Sequence, residues 1–265
     1  MSKRGIGVFD SGLGGLTVLA AIHEHLPEEE LIYFGDTARI PYGSKSKETV
    51  TRYSFEILEY LNKHDLKMIV VACNTATAYA LEELKNKSPV PIIGVIEPGV
   101  RALAKIQGLK RAAVIATRST VRSRAYEQAV AEAIPDLHLT SRACPLFVPL
   151  IEEGFADKQL SQPIIREYLD ELQRDEIEYV VLGCTHYPII KNQIQRLYPR
   201  FKLVDSSVET AAYLAEKLTA LNLRNKQGSG QIKLFVSDIT DSLIELEALF
   251  FGHSIDSVEK VSLGW

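Results

Sequence analysis

The sequence predicts an α/β fold built as two related domains, and three observations predict it. Short apolar runs rich in Val and Ile alternate with longer segments of helical period, the pattern of βαβ units around a mainly parallel sheet. Residues 65–75 (Asp-Leu-Lys-Met-Ile-Val-Val-Ala-Cys-Asn-Thr) are echoed by 175–186 (Asp-Glu-Ile-Glu-Tyr-Val-Val-Leu-Gly-Cys-Thr-His), each running from a polar start through a buried strand to a cysteine. The 265 residues suffice for one large domain or two small ones.

In chain order, the apolar runs predict strands over 6–9, 31–34, 68–72, 92–96, 113–116, 137–140, 179–182, 202–204 and 232–236. Between them, Leu16, Leu19, Ile22 and Leu26 share one helical face before Pro27 stops it. Val50, Tyr53, Ile57 and Leu61 repeat that pattern, as do Ile165, Tyr168, Leu169 and Leu172. Pro188, just past the second copy of the echo, suits the first turn of a helix. One boundary falls near Glu97-Pro98-Gly99 and another near Asp205-Ser206-Ser207, where an extended run yields to a helix cap. The expected division is therefore 1–97 plus 207–265 as a discontinuous first domain and 98–206 as the second. Residues 226–230 read as a loop inside the first. Each domain is expected to hold a mainly parallel sheet flanked by helices, with the site in the cleft between them.

Composition narrows the partners. Lys and Arg number 30 against 34 Asp and Glu, a net charge of -4, which gives neither the basic excess of a nucleic-acid binder nor an acidic tail. The 46% hydrophobic and 24% charged fractions are those of an ordinary globular domain. Residues 1–10 do not read as a signal peptide, and no apolar run approaches the roughly 18 residues of a spanning helix. Three cysteines argue against a disulfide scaffold, and the expectation is a cytoplasmic protein that needs no membrane.

Open α/β sheets bind ligands beyond the carboxyl ends of their strands, so the residues after each apolar run matter most. Four clusters stand there: 10–15 (Asp-Ser-Gly-Leu-Gly-Gly), 35–37 with 41–44 (Gly-Asp-Thr and Pro-Tyr-Gly-Ser), 73–77 (Cys-Asn-Thr-Ala-Thr) and 183–188 (Gly-Cys-Thr-His-Tyr-Pro). The first matches neither a P-loop nor a dinucleotide fingerprint, and Asp10 would repel a phosphate. Its glycines make a tight turn, in which Asp10 either caps the backbone or orients an ammonium group or a neighbouring acid or base.

Cys73 and Cys184 each follow a buried strand and each open a predicted helix, whose N-terminus can lower a thiol pKa toward neutrality. The alternative for any one cysteine is a small buried hydrophobe, the reading given to Cys144. A disulfide brings sulfurs to about 2 Å, whereas two bases gripping one carbon from opposite faces stand about 6–7 Å apart. Zinc wants four Cys or His ligands in short paired spacings, and only Cys184 and His186 are close in sequence, so no metal is expected. A single nucleophile, Cys184 with His186, would leave Cys73 unexplained. His186 reads equally as a proton carrier or an ordinary helix-start histidine, Glu152 as a solvated loop acid or a cleft acid, and Asp36 as a turn residue or a carboxylate near the site.

Taken together, 8–16 (Val-Phe-Asp-Ser-Gly-Leu-Gly-Gly-Leu), Pro41-Tyr42-Gly43, 72–77 (Ala-Cys-Asn-Thr-Ala-Thr) and 183–188 resemble the motifs of the glutamate racemases, within the aspartate/glutamate racemase family, in order and over nearly the whole chain. The resemblance implies interconversion of L- and D-glutamate without a cofactor, with Cys73 and Cys184 as the acid and base. It implies Asp10 assisting beside Cys73 and His186 beside Cys184, with Glu152 and Asp36 as weaker transfers. Substrate contacts would be Asp10, Ser11, Pro41, Tyr42, Gly43, Asn74, Thr75, Thr185 and His186. The product would feed peptidoglycan synthesis, and a homodimer stays open. Racemisation needs a base and an acid facing each other across one carbon, a symmetry that two related domains supply. The competing readings are an aspartate or related two-cysteine racemase, and a non-catalytic amino-acid-binding module of two α/β domains.

Overall fold

A computed structural model describes residues 4–239 and 257–263. Its strands, in chain order, are β1 (Gly5–Asp10), β2 (Leu31–Gly35), β3 (Leu66–Val71), β4 (Ile92–Gly94), β5 (Arg111–Ala116), β6 (His138–Ala143), β7 (Tyr179–Gly183), β8 (Lys202–Asp205), β9 (Ile232–Val236) and β10 (Val258–Lys260). The helices are α1 (Leu16–His25), α2 (Lys47–Leu61), α3 (Asn74–Lys87), α4 (Ile96–Ala104), α5 (Arg118–Ser123), α6 (Ala125–Ala133), α7 (Phe147–Glu152), α8 (Ser161–Arg174), α9 (Lys191–Leu197) and α10 (Ser206–Ala220).

Two sheets result, one ordered β10-β9-β2-β1-β3-β4 and the other β6-β5-β7-β8. All their pairings are parallel. The run β6-β5-β7-β8 repeats β2-β1-β3-β4 strand for strand, so the sequence echo has a topological counterpart: β3 and β7 hold the same place. Each sheet is covered on both faces. Leu16, Leu19 and Ile22 of α1 and Leu214 and Leu218 of α10 cover one face of the first sheet, and α2 and α3 cover the other. On the second sheet, α7, α8 and α9 pack on one face and α4 and α6 on the other. Burial on both faces is why β1 and β3 are apolar without alternation.

Several boundaries differ from the expectation. Val95 and Ile96 do not extend β4; Ile96 begins α4, because a short apolar run reads the same in either conformation. Residues 97–99 lie inside that helix, while Asp205 caps α10, its Oδ1 accepting from Ser207 N at 3.1 Å. The strand expected over 137–140 runs instead from His138 through Arg142 to Ala143, since an edge strand is half exposed and tolerates polar residues. The exposed edge strand β10 escaped for the same reason. Of the expected first domain, residues 1–3, 240–256 and 264–265 lie outside the described residues.

Candidate active site

The chemistry-bearing residues follow the carboxyl ends of the central strands of both sheets. Asp10 ends β1 and Cys73 follows β3, while Thr117 follows β5 and Cys184 follows β7. These are the points where each sheet's strand order reverses, the place where open α/β sheets form their crevice. The two ends face each other across a cavity of about 220 Å³ whose lining includes Ser11, Tyr42, Gly43, Cys73, Asn74, Thr75, Thr117, Arg118, Cys144, Glu152, Cys184, Thr185 and His186. Pro41 lines it as well. Cys73 and Cys184 are both buried, at 5% and 6% exposure, and all three cysteines are free thiols. Among the described residues no three His, Cys, Asp or Glu side chains are grouped to hold a metal ion.

Glycines let the two halves meet. A Cβ on Gly14 would lie 2.5 Å from Cε1 of His186 and 2.6 Å from Oγ1 of Thr185, so only glycine lets the α1 entry pack against the Cys184 turn. A Cβ on Gly43 would lie 2.7 Å from Cβ of Thr117. Hydroxyls then stitch the seam: Thr17 Oγ1 donates to the Thr185 carbonyl at 2.9 Å, and Oγ1 of Thr75 lies 3.0 Å from that of Thr117 and 3.2 Å from that of Thr120.

Asp10 and Asp36 stand behind the wall rather than on it. Asp10 Oδ2 accepts from Gly12 N at 3.1 Å and Gly15 N at 3.0 Å, while Oδ1 takes the Thr185 hydroxyl at 3.4 Å. The glycine turn occupies Oδ2, and Oδ1 faces Thr185, a residue of the cavity wall. Asp36 accepts from the Tyr42 hydroxyl, the Arg39 guanidinium and, at 2.9 Å, the Ser237 hydroxyl, fixing the 41–44 wall from outside.

Of the two expected helix starts, the one at Cys73 is direct and the one at Cys184 is delayed by two residues. Cys73 caps the long helix α3, its Sγ accepting from Ala76 N at 3.4 Å. Cys184 is followed by a 3₁₀ turn, Tyr187–Ile190, with Pro188 in its first turn, that runs directly into α9, and Ser11 lies in a loop that becomes helical at Leu16. The lowered thiol pKa expected for Cys73 is corrected as well. Burial and then the charge of Asp10 push it up to about 12, outweighing the Ala76 N–H.

His186 shows the opposite balance. Burial by itself would drive its pKa down, but hydrogen bonds to Cys184 and Glu152 outweigh it and carry it up to about 10. Its Nδ1 lies 3.9 Å from Cys184 Sγ and its Nε2 3.0 Å from Glu152 Oε1, so each ring nitrogen has a partner within reach and the raised pKa favours the charged ring. A carboxylate thus neighbours one sulfur and a cation neighbours the other.

Asn74 carries a further clue. Its Oδ1 accepts from the Tyr126 hydroxyl at 2.8 Å, while its buried Nδ2, on a residue that lines the cavity, has no partner. Such a donor is costly unless a ligand accepts from it. Thr117, Thr120, Arg118 and the cavity-lining Cys144 are absent from the expected site. The matched strand order could have found Thr117, which sits after β5 as Asp10 sits at the end of β1.

The model of the Asp/Glu/hydantoin racemase family matches residues 6–214 of the chain. A glutamate racemase of Geobacter metallireducens is 48% identical over 265 residues, 99% of this chain and 98% of that one. The crystal structure of glutamate racemase from Francisella tularensis in complex with D-glutamate superposes with a TM-score of 0.93 at 35% identity, over 100% of this chain and 99% of that one. The glutamate racemase of Thermus thermophilus, in complex with beta-chloro-D-alanine, gives 0.88 at 43% identity and 98% coverage of both.

Proposed function

This chain belongs to the Asp/Glu/hydantoin racemase family and is an amino-acid racemase, and from that premise we propose that it interconverts L- and D-glutamate with Cys73 and Cys184 as the two proton carriers. The observation that carries the reading is that counterpart cysteines of two matched sheets line one small cavity. One sulfur, as thiolate, takes the α-proton: its S–H bond forms as the C–H bond breaks, and the electron pair passes to the carbon and its carboxylate. The opposite thiol gives its proton to the other face and is left as thiolate, so configuration inverts and the two sulfurs exchange roles.

The remaining residues fit that scheme. Cys73, held toward its thiol form by burial and by Asp10, is the proton donor for one enantiomer, and the roles reverse for the other. His186 supplies the positive charge beside Cys184, and Glu152 holds the ring in place. The unpartnered Asn74 amide and the Thr75, Thr117 and Thr185 hydroxyls are donors for the substrate carboxylates, which carry the developing charge. Asp10 and Asp36 are positioning residues, acting through Thr185 and Tyr42. No cofactor enters the scheme. The D-glutamate formed would supply peptidoglycan synthesis in the cytoplasm; among the described residues no helix is long and apolar enough to cross a membrane.

Incubation with L-glutamate in heavy water tests the reading. Loss of the α-hydrogen together with racemisation is expected, and Cys73→Ser and Cys184→Ser should each abolish turnover while keeping the fold, because a hydroxyl is a far weaker acid than a thiol. No exchange would leave only an amino-acid-binding module. Turnover of L-aspartate but not of L-glutamate would move the substrate assignment.

A further inference from the structure

One charge at the cavity has no counterpart. Of the lining residues, Glu152 and His186 neutralise each other at 3.0 Å, whereas Arg118 is exposed and meets no carboxylate in an ion pair among the described residues. Arg118 opens α5 and Arg122 follows one turn later on the same helix face, also exposed and without an ion pair among the described residues. Like charges at that spacing disfavour a helix, so the pair is kept at a small cost to α5. The chain as a whole carries a net charge of -4, so this local reversal of sign stands out on the solvent-exposed part of the cavity wall.

We propose that Arg118, reinforced by Arg122, is a recruitment lip that draws the acidic substrate into the cavity. It sets KM and discrimination against neutral amino acids and takes no part in proton transfer. The inference rests on the proposed racemisation of an acidic amino acid and adds the residue that selects for its charge. Two unit charges about 7 Å apart, in surroundings between water and half its dielectric constant, shift an equilibrium about three- to sevenfold. Because the lip faces solvent, added salt should erode that advantage within a Debye length of about 10 Å at 0.1 M.

The test is steady-state racemisation by R118A, R118K, R118E and R122A at low and high NaCl. R111A serves as the control, since it removes the same charge from the far end of β5, away from the cavity. Expected are a three- to sevenfold rise in KM for R118A, a larger rise for R118E, a smaller one for R122A, and near wild-type values for R118K and R111A. kcat should stay within twofold throughout, and the salt dependence of kcat/KM should flatten in R118A. A wild-type KM for R118A at low salt, or a matching fall in kcat, would overturn the inference. The comparison uses whichever of glutamate and aspartate the wild type turns over; turnover of neither would overturn the racemase reading and the lip together.

Discussion

Replacing Gly14 by alanine probes the seam between the two halves without touching a group that moves protons. The added methyl would sit 2.5 Å from Cε1 of His186 and 2.6 Å from Oγ1 of Thr185, so the 184–186 turn must retreat by about 1 Å to reach ordinary contact. Overpacking of this kind costs about 1–3 kcal/mol, and a displacement of that size between reacting groups costs about 10²-fold in rate. G14A should therefore lose modest stability and most of its activity. The assay is α-hydrogen exchange and racemisation from each enantiomer, with urea unfolding in parallel. Because the two enantiomers are equal in free energy, kcat/KM must fall by the same factor in both directions. Gly108 is the control: its φ of +72° strains an alanine at about 1 kcal/mol, but nothing lies within 4 Å of the new methyl, so activity should survive. G14A with kcat/KM within twofold of wild type would refute the claim that this glycine sets the approach of the Cys184 turn.

Glu152→Gln removes one prop of the His186 imidazolium. The folded pKa of about 10 lies above the roughly 6.5 of a free histidine, so the stabilisation is complete below pH 6.5 and is lost as pH rises through 10. The variant should bring the alkaline limb of kcat/KM to lower pH and be less stable than wild type at pH 6 and 8, with the gap closing above 10; an unmoved limb would show that Glu152 does not hold the proton. At the opposite end of the first sheet, Lys67 and Glu29 form a fully buried ion pair, Lys67 also donating to the Leu223 carbonyl at 2.8 Å and Glu29 accepting from Asn225 N at 2.8 Å. Lys67→Met should cost about 3–5 kcal/mol in urea unfolding by stranding the Glu29 charge, yet leave kcat unchanged where the protein is folded. Iodoacetamide should inactivate slowly, with substrate protecting, and peptide mapping should find the label on Cys73 or Cys184; labelling confined to Cys144 would contradict their assignment.

The sequence by itself determined the α/β class, most strands and the four strand-end clusters, because those signals are local: an apolar run buried on both faces, a cap, a glycine turn. The echo around Cys73 and Cys184 also disclosed a duplication, since a repeated strand with a repeated residue at its end needs no long-range information. Tertiary structure decided what those residues face. Asp10 spends Oδ2 on Gly12 and Gly15 and turns Oδ1 to Thr185, and Asp36 turns away to Tyr42 and Ser237, choices fixed by neighbours up to 201 positions distant. Thr117 and Arg118 reach the cavity only because β5 sits beside β7 in a sheet that opposes the first. The protonation of Cys73 belongs there too: a helix start is written in the sequence, but the burial that overrules it comes from segments the chain brings together only on folding.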